Sequence, residues 1–118
     1  MRYMTHCEYG ETVLETPRGR GLDRTAALKA ITQGRSVIYA VRLSDGIIKI
    51  GCSKSLWNRR RAWAAEILGF RFGDMREEQE IHQSLQAHVA RGREYYHPTP
   101  EVLAFVNELR DEWGLDHL

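Results

Sequence analysis

The clearest pattern in the chain is a pair of short apolar segments separated by a polar turn. Residues 36–43 (SVIYAVRL) are rich in β-branched and aromatic side chains, which is typical of a strand. Residues 47–51 (IIKIG) have the same character and follow the turn Ser44-Asp45-Gly46. Together these segments predict a β-hairpin, the strongest such signal in the sequence.

The length of the turn decides which side chains share a face of that hairpin. A three-residue turn suits Gly46, because such turns often end in a residue with positive φ. It pairs Tyr39 with Gly51. Val41 then faces Lys49, and the Tyr39 phenol and the Lys49 ammonium lie on one face. A two-residue turn would place them on opposite faces, since a one-residue slip reverses every side chain. The alternative to a shared site is that Tyr39 is a core aromatic residue and Lys49 a solvated strand residue.

Capping residues and apolar spacing predict three helices after the hairpin. Ser55 caps a helix over about 55–68, and Asp74 begins a near capping box for a helix over about 74–90. Thr99, followed by proline, caps the third helix. That helix carries an apolar stripe at Val102, Phe105, Val106, Leu109 and Trp113.

Shorter segments complete the predicted fold. Residues 70–72 predict a third strand, residues 93–96 (REYY) an extended segment, and residues 23–33 a short helix. The order of the elements predicts an α+β fold, with a small antiparallel sheet flanked by helices. Residues 1–35 are expected to form an N-terminal arm with that short helix, and residues 36–118 the main domain.

Composition and charge are those of one small globular domain. The chain has 118 residues, 42% of them hydrophobic and 28% charged, which excludes wholesale disorder and a multidomain assembly. A net charge of +1 excludes a generic polycation that coats nucleic acid. Residues 1–61 nevertheless carry 12 Lys and Arg against 5 Asp and Glu, and residues 62–118 carry 5 against 11. Either the basic half faces a polyanion, or the two halves neutralise each other in the fold.

The cysteines and the apolar segments predict a cytoplasmic protein. Cys7 and Cys52 are too few for a disulfide scaffold and form no C-x-x-C pair, so both are expected to be reduced thiols. The N-terminal segment has no apolar run typical of a signal peptide. The longest apolar stretch, Val37 to Val41, is far shorter than the roughly 20 residues of a membrane span, so no membrane partner is expected.

Two groups of charged residues on the predicted helices are candidates for chemistry. Arg59, Arg60 and Arg61 follow the hairpin; a guanidinium suits phosphate because its planar fork makes two charge-assisted hydrogen bonds, although such a run is also common on a solvated face. Glu78 and His82 lie four residues apart on the inward stripe of the next helix. An inward carboxylate is costly unless it is paired or binds a metal, so these two residues form either an internal pair or part of a metal site.

Several short motifs occur along the chain in a definite order and spacing. They are VIY at 37–39, KIG at 49–51, Arg59, the form E-x-x-x-H from Glu78 to His82, GREYY at 92–96 and PEVL at 100–103. This series resembles the GIY-YIG nuclease superfamily, and most of all its short phage and bacterial branch, which carries Lys in place of the second tyrosine. The resemblance covers about residues 36–110.

The resemblance implies a DNA endonuclease that hydrolyses a phosphodiester with one divalent ion, Mg²⁺ or Mn²⁺. It implies that Glu78 holds the metal, that Arg59 binds the scissile phosphate, and that Tyr39 is the general base or positions the water. Lys49 lies beside that tyrosine, and a cation there is expected to lower the tyrosine pKa from its usual value of about 10.

The chain departs from the family pattern at two positions. The first motif is VIY rather than GIY, and Trp63 stands where many members have His or Tyr, four residues after the arginine. Because Trp63 cannot usefully exchange protons, the candidates to assist the leaving group are Lys49, His82 or water.

Further basic residues are candidates for DNA binding. They are Lys54, Arg60 and Arg61, with Arg18 and Arg20 of the N-terminal arm. Contacts of this kind weaken with salt; otherwise the arm is a solubilising tail. A chain this short has little room for a separate sequence-reading domain, so specificity would need the arm, a homodimer or a partner protein. Two alternatives stay open: a catalytically silent DNA-binding module of the same fold, or a protein-interaction domain such as a phage accessory protein.

Overall fold

The computed structural model describes residues 32–63 and 66–118, except for the side chains of residues 60–63. The predictions for the N-terminal arm and for nearly all of the helix at 23–33 lie outside these residues. Six residues singled out above, or their side chains, also lie outside the described part: Cys7, Arg18, Arg20, Arg60, Arg61 and Trp63.

The described residues form an α+β fold with one small antiparallel sheet, as predicted. The strands are β1 (Val37–Arg42), β2 (Ile48–Ser53), β3 (Glu66–Phe72), β4 (Val89–Arg91) and β5 (Tyr95–Tyr96). The helices are α1 (Leu56–Trp63), α2 (Met75–Ser84) and α3 (Pro100–Asp111), with a short 3₁₀ turn at Gln86–His88. The sheet has the order β3-β1-β2-β5-β4, so the hairpin β1–β2 lies at its centre.

The hairpin has the register of a three-residue turn. Tyr39 pairs with Gly51, and Val41 pairs with Lys49. Gly46 has a φ of 87°, the left-handed conformation that this turn requires and that glycine adopts without steric cost. The predicted register is therefore confirmed, and Tyr39 and Lys49 lie on the same face of the sheet.

Each face of the sheet is covered by its own apolar core. The first core packs α1 and the C-terminal segment against one face, and it contains Val37, Tyr39, Val41, Leu56, Ile67, Phe70, Trp113 and Leu115. The second core packs α2 and α3 against the other face, and its members include Ile38, Ile50, Leu68, Ile81, Leu85, Tyr96, Val102, Val106 and Leu109. The alternation of inward positions along the central strands explains why both cores draw on β1.

The first helix ends earlier than predicted. Its last residue is Trp63, and the chain already forms a strand from Glu66, so the helix predicted to about Leu68 is wrong there. From Glu66 onward the backbone pairs with β1, and Ile67 and Leu68 enter opposite cores. Pairing with a distant strand overrides the local helical signal, and the predicted third strand at 70–72 is only the end of β3.

The second helix is also shorter than predicted. It ends at Ser84 rather than near Ala90, and Val89–Arg91 forms an edge strand that pairs with β5. Gly92 makes the connecting turn with a φ of 59°. A three-residue edge strand has too little periodicity to be separated from a preceding helix by sequence pattern, which explains the error.

The predicted helix caps are present on α2 and α3. The Asp74 carboxylate accepts a hydrogen bond from the Glu77 amide at 3.0 Å, and the Thr99 hydroxyl accepts one from the Val102 amide at 3.3 Å. Such a cap stabilises a helix by about 1 kcal/mol. Within the described ranges, every helix is too short or too polar to span a bilayer.

Candidate active site

Tyr39 is held in place by the glycine opposite it in the hairpin. Its side chain is 1% exposed and lies across Gly51, where an added Cβ would overlap the Tyr39 hydroxyl. The glycine of the KIG motif is therefore required by close approach, because any side chain there would displace the phenol.

Lys49 places its ammonium among groups that favour a positive charge. The residue is only 8% exposed, and its Nζ donates a hydrogen bond to Glu94 Oε1 at 3.3 Å. A second hydrogen bond joins Lys49 to the Tyr39 side chain, and Nζ lies 5.1 Å from the centre of the Tyr95 ring. The buried charge is thus matched by a carboxylate, a phenol and an aromatic face.

Tyr39 and Lys49 both keep their protons at neutral pH. Burial raises the pKa of Tyr39, and this outweighs the lowering effect of Lys49 and Arg59. The expected lowering of the tyrosine pKa is therefore wrong in its net direction, because desolvation disfavours the phenolate more than one cation favours it. For Lys49, burial alone lowers the pKa, but Tyr39, Glu94 and Tyr95 together raise it.

Glu94 connects the two faces of the sheet. It lies just before β5, where its carbonyl accepts a hydrogen bond from the Ile50 amide at 2.9 Å. Its carboxylate meets Lys49, whose side chain belongs to the Tyr39 face, and also approaches Glu78 and His82 of α2, which covers the other face. One ligand atom from each of Glu78, His82 and Glu94 lies within 4.8 Å of the other two.

His82 is oriented by Tyr96. Its Nδ1 is hydrogen-bonded to the Tyr96 hydroxyl, which donates in turn to the Arg93 carbonyl at 3.1 Å. Burial, with the nearby Glu94 and Glu78 carboxylates, raises the pKa of Tyr96 to about 12, so this phenol is neutral. In the part of the chain that the structure describes, the other ring nitrogen, Nε2, is buried without a hydrogen-bond partner, although it lies 3.3 Å from Glu78 Oε2.

The three clustered residues have the chemistry of a divalent-cation site. Two carboxylates and an imidazole are ligands for divalent metals, and the unsatisfied Nε2 is the kind of buried polar atom that a metal would satisfy. The side chains of Glu78 and His82 are 13% and 17% exposed, and that of Glu94 is 42% exposed. The cluster is therefore sheltered by the fold and remains open to solvent on the Glu94 side.

The remaining predicted residues lie at different distances from this cluster. Arg59 is exposed on α1 and close enough to Tyr39 to lower its pKa. Lys54 is also exposed, but it lines a separate cleft of about 260 Å³ with Ser55 and Trp57. The structure thus brings together Tyr39, Lys49, Glu78, His82 and, nearby, Arg59, whereas Lys54 stands apart.

A larger cleft opens beside His82. Its volume is about 580 Å³, within the range of small-ligand sites. It is lined by His82 with Gln79, Gln83, Gln86, Val89, Gly92 and Arg93. Amide and guanidinium groups therefore face the space beside the imidazole.

Sequence reasoning missed two residues of this site, Glu94 and Tyr96. Both lie in the GREYY motif, which carried the resemblance but was given no chemical role. Comparison of the chain with family models, with curated proteins and with solved structures finds no significant match.

Proposed function

We propose that this protein is a metal-dependent DNA endonuclease of the GIY-YIG type, which hydrolyses a phosphodiester with one divalent ion such as Mg²⁺ or Mn²⁺. The observation that carries the proposal is the continuous series of neighbouring groups from Tyr39 through Lys49 and Glu94 to Glu78 and His82. A structural role alone does not require a phenol, an ammonium, two carboxylates and an imidazole to lie so close together around strands β1, β2 and β5.

The proposed roles follow from the state of each group. Arg59 is exposed and binds the scissile phosphate, where its charge stabilises the transition state. Tyr39 is protonated at neutral pH, so its hydroxyl orients the attacking water, a role that burial favours over that of general base. Lys49 stays charged and fixes that hydroxyl.

The metal would be held by Glu78, with His82 and Glu94 beside it. When bound, such an ion lowers the pKa of water and neutralises charge on the phosphate. Glu94 has a second task in the proposal, because the same carboxylate holds the Lys49 ammonium. Glu94 thereby fixes the position of the Lys49 ammonium relative to Glu78 and His82.

The cleft beside His82 supports a nucleic acid as the substrate. Glutamine amides can pair with base edges, and an arginine can contact either a base edge or a phosphate. Gln79, Gln83 and Arg93 offer such groups in the cleft that His82 also lines.

Nicking of supercoiled plasmid DNA tests the proposed activity. Wild-type protein is expected to convert the plasmid to open-circular or linear forms with Mg²⁺ or Mn²⁺, and not with EDTA. Glu78→Gln is expected to lower the rate by about 1,000-fold, since it removes a metal-binding carboxylate at the point where charge develops. Glu80→Gln is the matched control, because Glu80 lies on the same helix and is exposed beside Arg76.

Two results would reject this function. One is the absence of cleavage of supercoiled, linear and branched DNA with both ions. The other is cleavage by Glu78→Gln at the wild-type rate. Salt-sensitive DNA binding without turnover would instead favour the silent binding module.

A further inference from the structure

The protonation of His82 can be worked out from its partners. A tyrosine hydroxyl has one proton to donate, and a carbonyl oxygen can only accept. With the Tyr96 hydroxyl proton on the Arg93 carbonyl, at 3.1 Å, the hydroxyl oxygen accepts from His82 Nδ1. In this arrangement the proton of a neutral imidazole lies on Nδ1, and Nε2 carries a lone pair.

That lone pair lies beside the Glu78 carboxylate. Nε2 is buried, has no hydrogen-bond partner among the described residues and lies 3.3 Å from Glu78 Oε2. Two lone pairs at this distance repel each other unless a cation lies between them. A proton on Nε2 would also satisfy both groups, but the contact does not have the geometry of a hydrogen bond.

Glu94 adds a second carboxylate, and its position is fixed from outside the cluster. Lys49 binds its Oε1, and the backbone of Glu94 is paired with Ile50. Tyr96 fixes the imidazole in the same way, from outside. Partners that orient metal ligands through a further hydrogen bond are typical of protein metal sites.

We propose that Glu78, His82 and Glu94 together bind a single divalent ion of the Mn²⁺-to-Zn²⁺ series in preference to Mg²⁺, with Tyr96 as the positioning residue for His82. Mg²⁺ favours oxygen ligands and keeps most of its waters, whereas an imidazole nitrogen favours transition metals. The inference rests on the proposed function for the identity of the site, but its ion preference is measured without DNA.

Binding of Mn²⁺ to the full chain, followed by electron paramagnetic resonance, tests the ligand set. Wild-type protein is expected to bind Mn²⁺ at least about 10-fold more tightly than Mg²⁺, and Zn²⁺ is expected to displace Mn²⁺. His82→Gln is expected to weaken Mn²⁺ binding by about 10- to 100-fold and to abolish the preference over Mg²⁺. The control His97→Gln changes an exposed histidine and is expected to bind as wild type.

Glu94→Gln and Tyr96→Phe test the other parts of the proposal. Each is expected to weaken Mn²⁺ binding by about 10-fold or more, whereas Glu80→Gln and Tyr95→Phe are not. Nitrogen NMR of ¹⁵N-histidine in the wild-type protein gives a readout that needs no variant. It is expected to show His82 protonated on Nδ1, with the Nε2 resonance shifting when Zn²⁺ is added.

Three results would overturn the inference. They are equal affinity of the wild-type protein for Mn²⁺ and Mg²⁺, an unchanged preference in His82→Gln, and a His82 ring protonated on Nε2. Failure of the proposed function looks different. If the protein shows the expected ion preference but cuts no DNA, the metal site stands and the nuclease function is rejected. If the protein cuts DNA without the ion preference, the nuclease function stands and this inference is rejected.

Discussion

Arg110 and Lys49 are both buried cations, but different partners satisfy them. Arg110 is 3% exposed and donates to the Leu68 carbonyl at 2.7 Å and to a carbonyl of the C-terminal segment. Lys49 is 8% exposed and lies against the Glu94 carboxylate and the Tyr39 phenol. Burial lowers the pKa of Arg110, whereas the groups around Lys49 raise its pKa.

The difference separates a structural charge from a chemical one. The hydrogen bonds of Arg110 go to carbonyl oxygens, which do not titrate, and connect β3 to the C-terminal segment; the Glu66 and Asp116 carboxylates act on it through their charge. The partners of Lys49 are titratable and continue into the Glu78–His82–Glu94 cluster. Because both charges are buried, it is the nature of the partners of Lys49, and not burial, that supports the proposed site.

Replacing each cation by methionine tests this comparison directly. Arg110→Met leaves two carbonyls without their donor and is expected to lower the free energy of unfolding by about 3 kcal/mol, without changing cleavage by the folded protein. Lys49→Met is expected to cost about 1 kcal/mol of stability and to lower cleavage by about 100-fold. Urea unfolding and plasmid nicking measure the two effects. A stable but inactive Arg110→Met protein would contradict the distinction.

Two glycines extend the comparison to the backbone. At Gly51 an alanine Cβ would lie 2.7 Å from Tyr39 Cζ, so the phenol must move. At Gly69 the Cβ would meet Leu109 Cβ at 3.0 Å and the Arg110 amide at 3.4 Å, which a small shift relieves. Gly51→Ala is expected to lower the free energy of unfolding by about 2 kcal/mol and also to lower the rate of cleavage. Gly69→Ala is expected to lower the free energy of unfolding by about 1 kcal/mol and to leave cleavage unchanged. Equal activity of the two folded variants would show that Tyr39 has no part in cleavage.

The part of the site on the hairpin could be predicted because local geometry determines it. The three-residue turn ending in Gly46 fixes the register, and the register places Tyr39 and Lys49 on one face. The Thr99 cap likewise marks the start of α3 without reference to the rest of the chain. Such short-range signals are complete within a few residues of sequence.

The rest of the site depends on contacts between distant segments. Glu94 reaches Lys49 only because β5 pairs with β2, and β5 is two residues long. The link from Tyr96 to His82 requires both the turn at Gly92 and the end of α2 near Ser84. No periodicity in the sequence encodes those pairings, so only the motif GREYY, without its chemistry, could be found.

The stability of the protein at alkaline pH tests the comparison through Tyr96, the buried tyrosine that holds His82 in the candidate site. Tyr96 has a pKa raised to about 12 in the folded protein, against 10.0 for an ordinary tyrosine. Between these values the native state retains a proton that the unfolded chain has lost. This contribution to stability is complete below pH 10 and falls as pH rises to 12, by up to about 1.4 kcal/mol per pH unit.

Urea unfolding at pH 9, 10 and 11 measures that slope. Tyr39 and Lys49, whose pKa values are also raised, add to it in the same direction. Tyr96→Phe is expected to flatten the slope, and Arg110→Met to leave it unchanged. Tyr95→Phe keeps the Tyr96 hydroxyl and serves as the matched control. A slope as steep in Tyr96→Phe as in the wild-type protein would mean that this hydroxyl does not contribute to it.

The smallest expected effects come from the helix caps. Asp74→Ala removes the cap of α2, which carries Glu78 and His82, and Thr99→Ala removes the cap of α3, which carries Arg110. Each is expected to lower stability by about 1 kcal/mol, and Asp74→Asn and Thr99→Ser, which keep a capping oxygen, to restore most of it. Fraying of α2 at its first turn loosens Glu78, so only Asp74→Ala is expected to weaken Mn²⁺ binding. Because the two losses of stability are matched, equal Mn²⁺ affinity in both variants would mean that the position of Glu78 does not depend on the start of its helix.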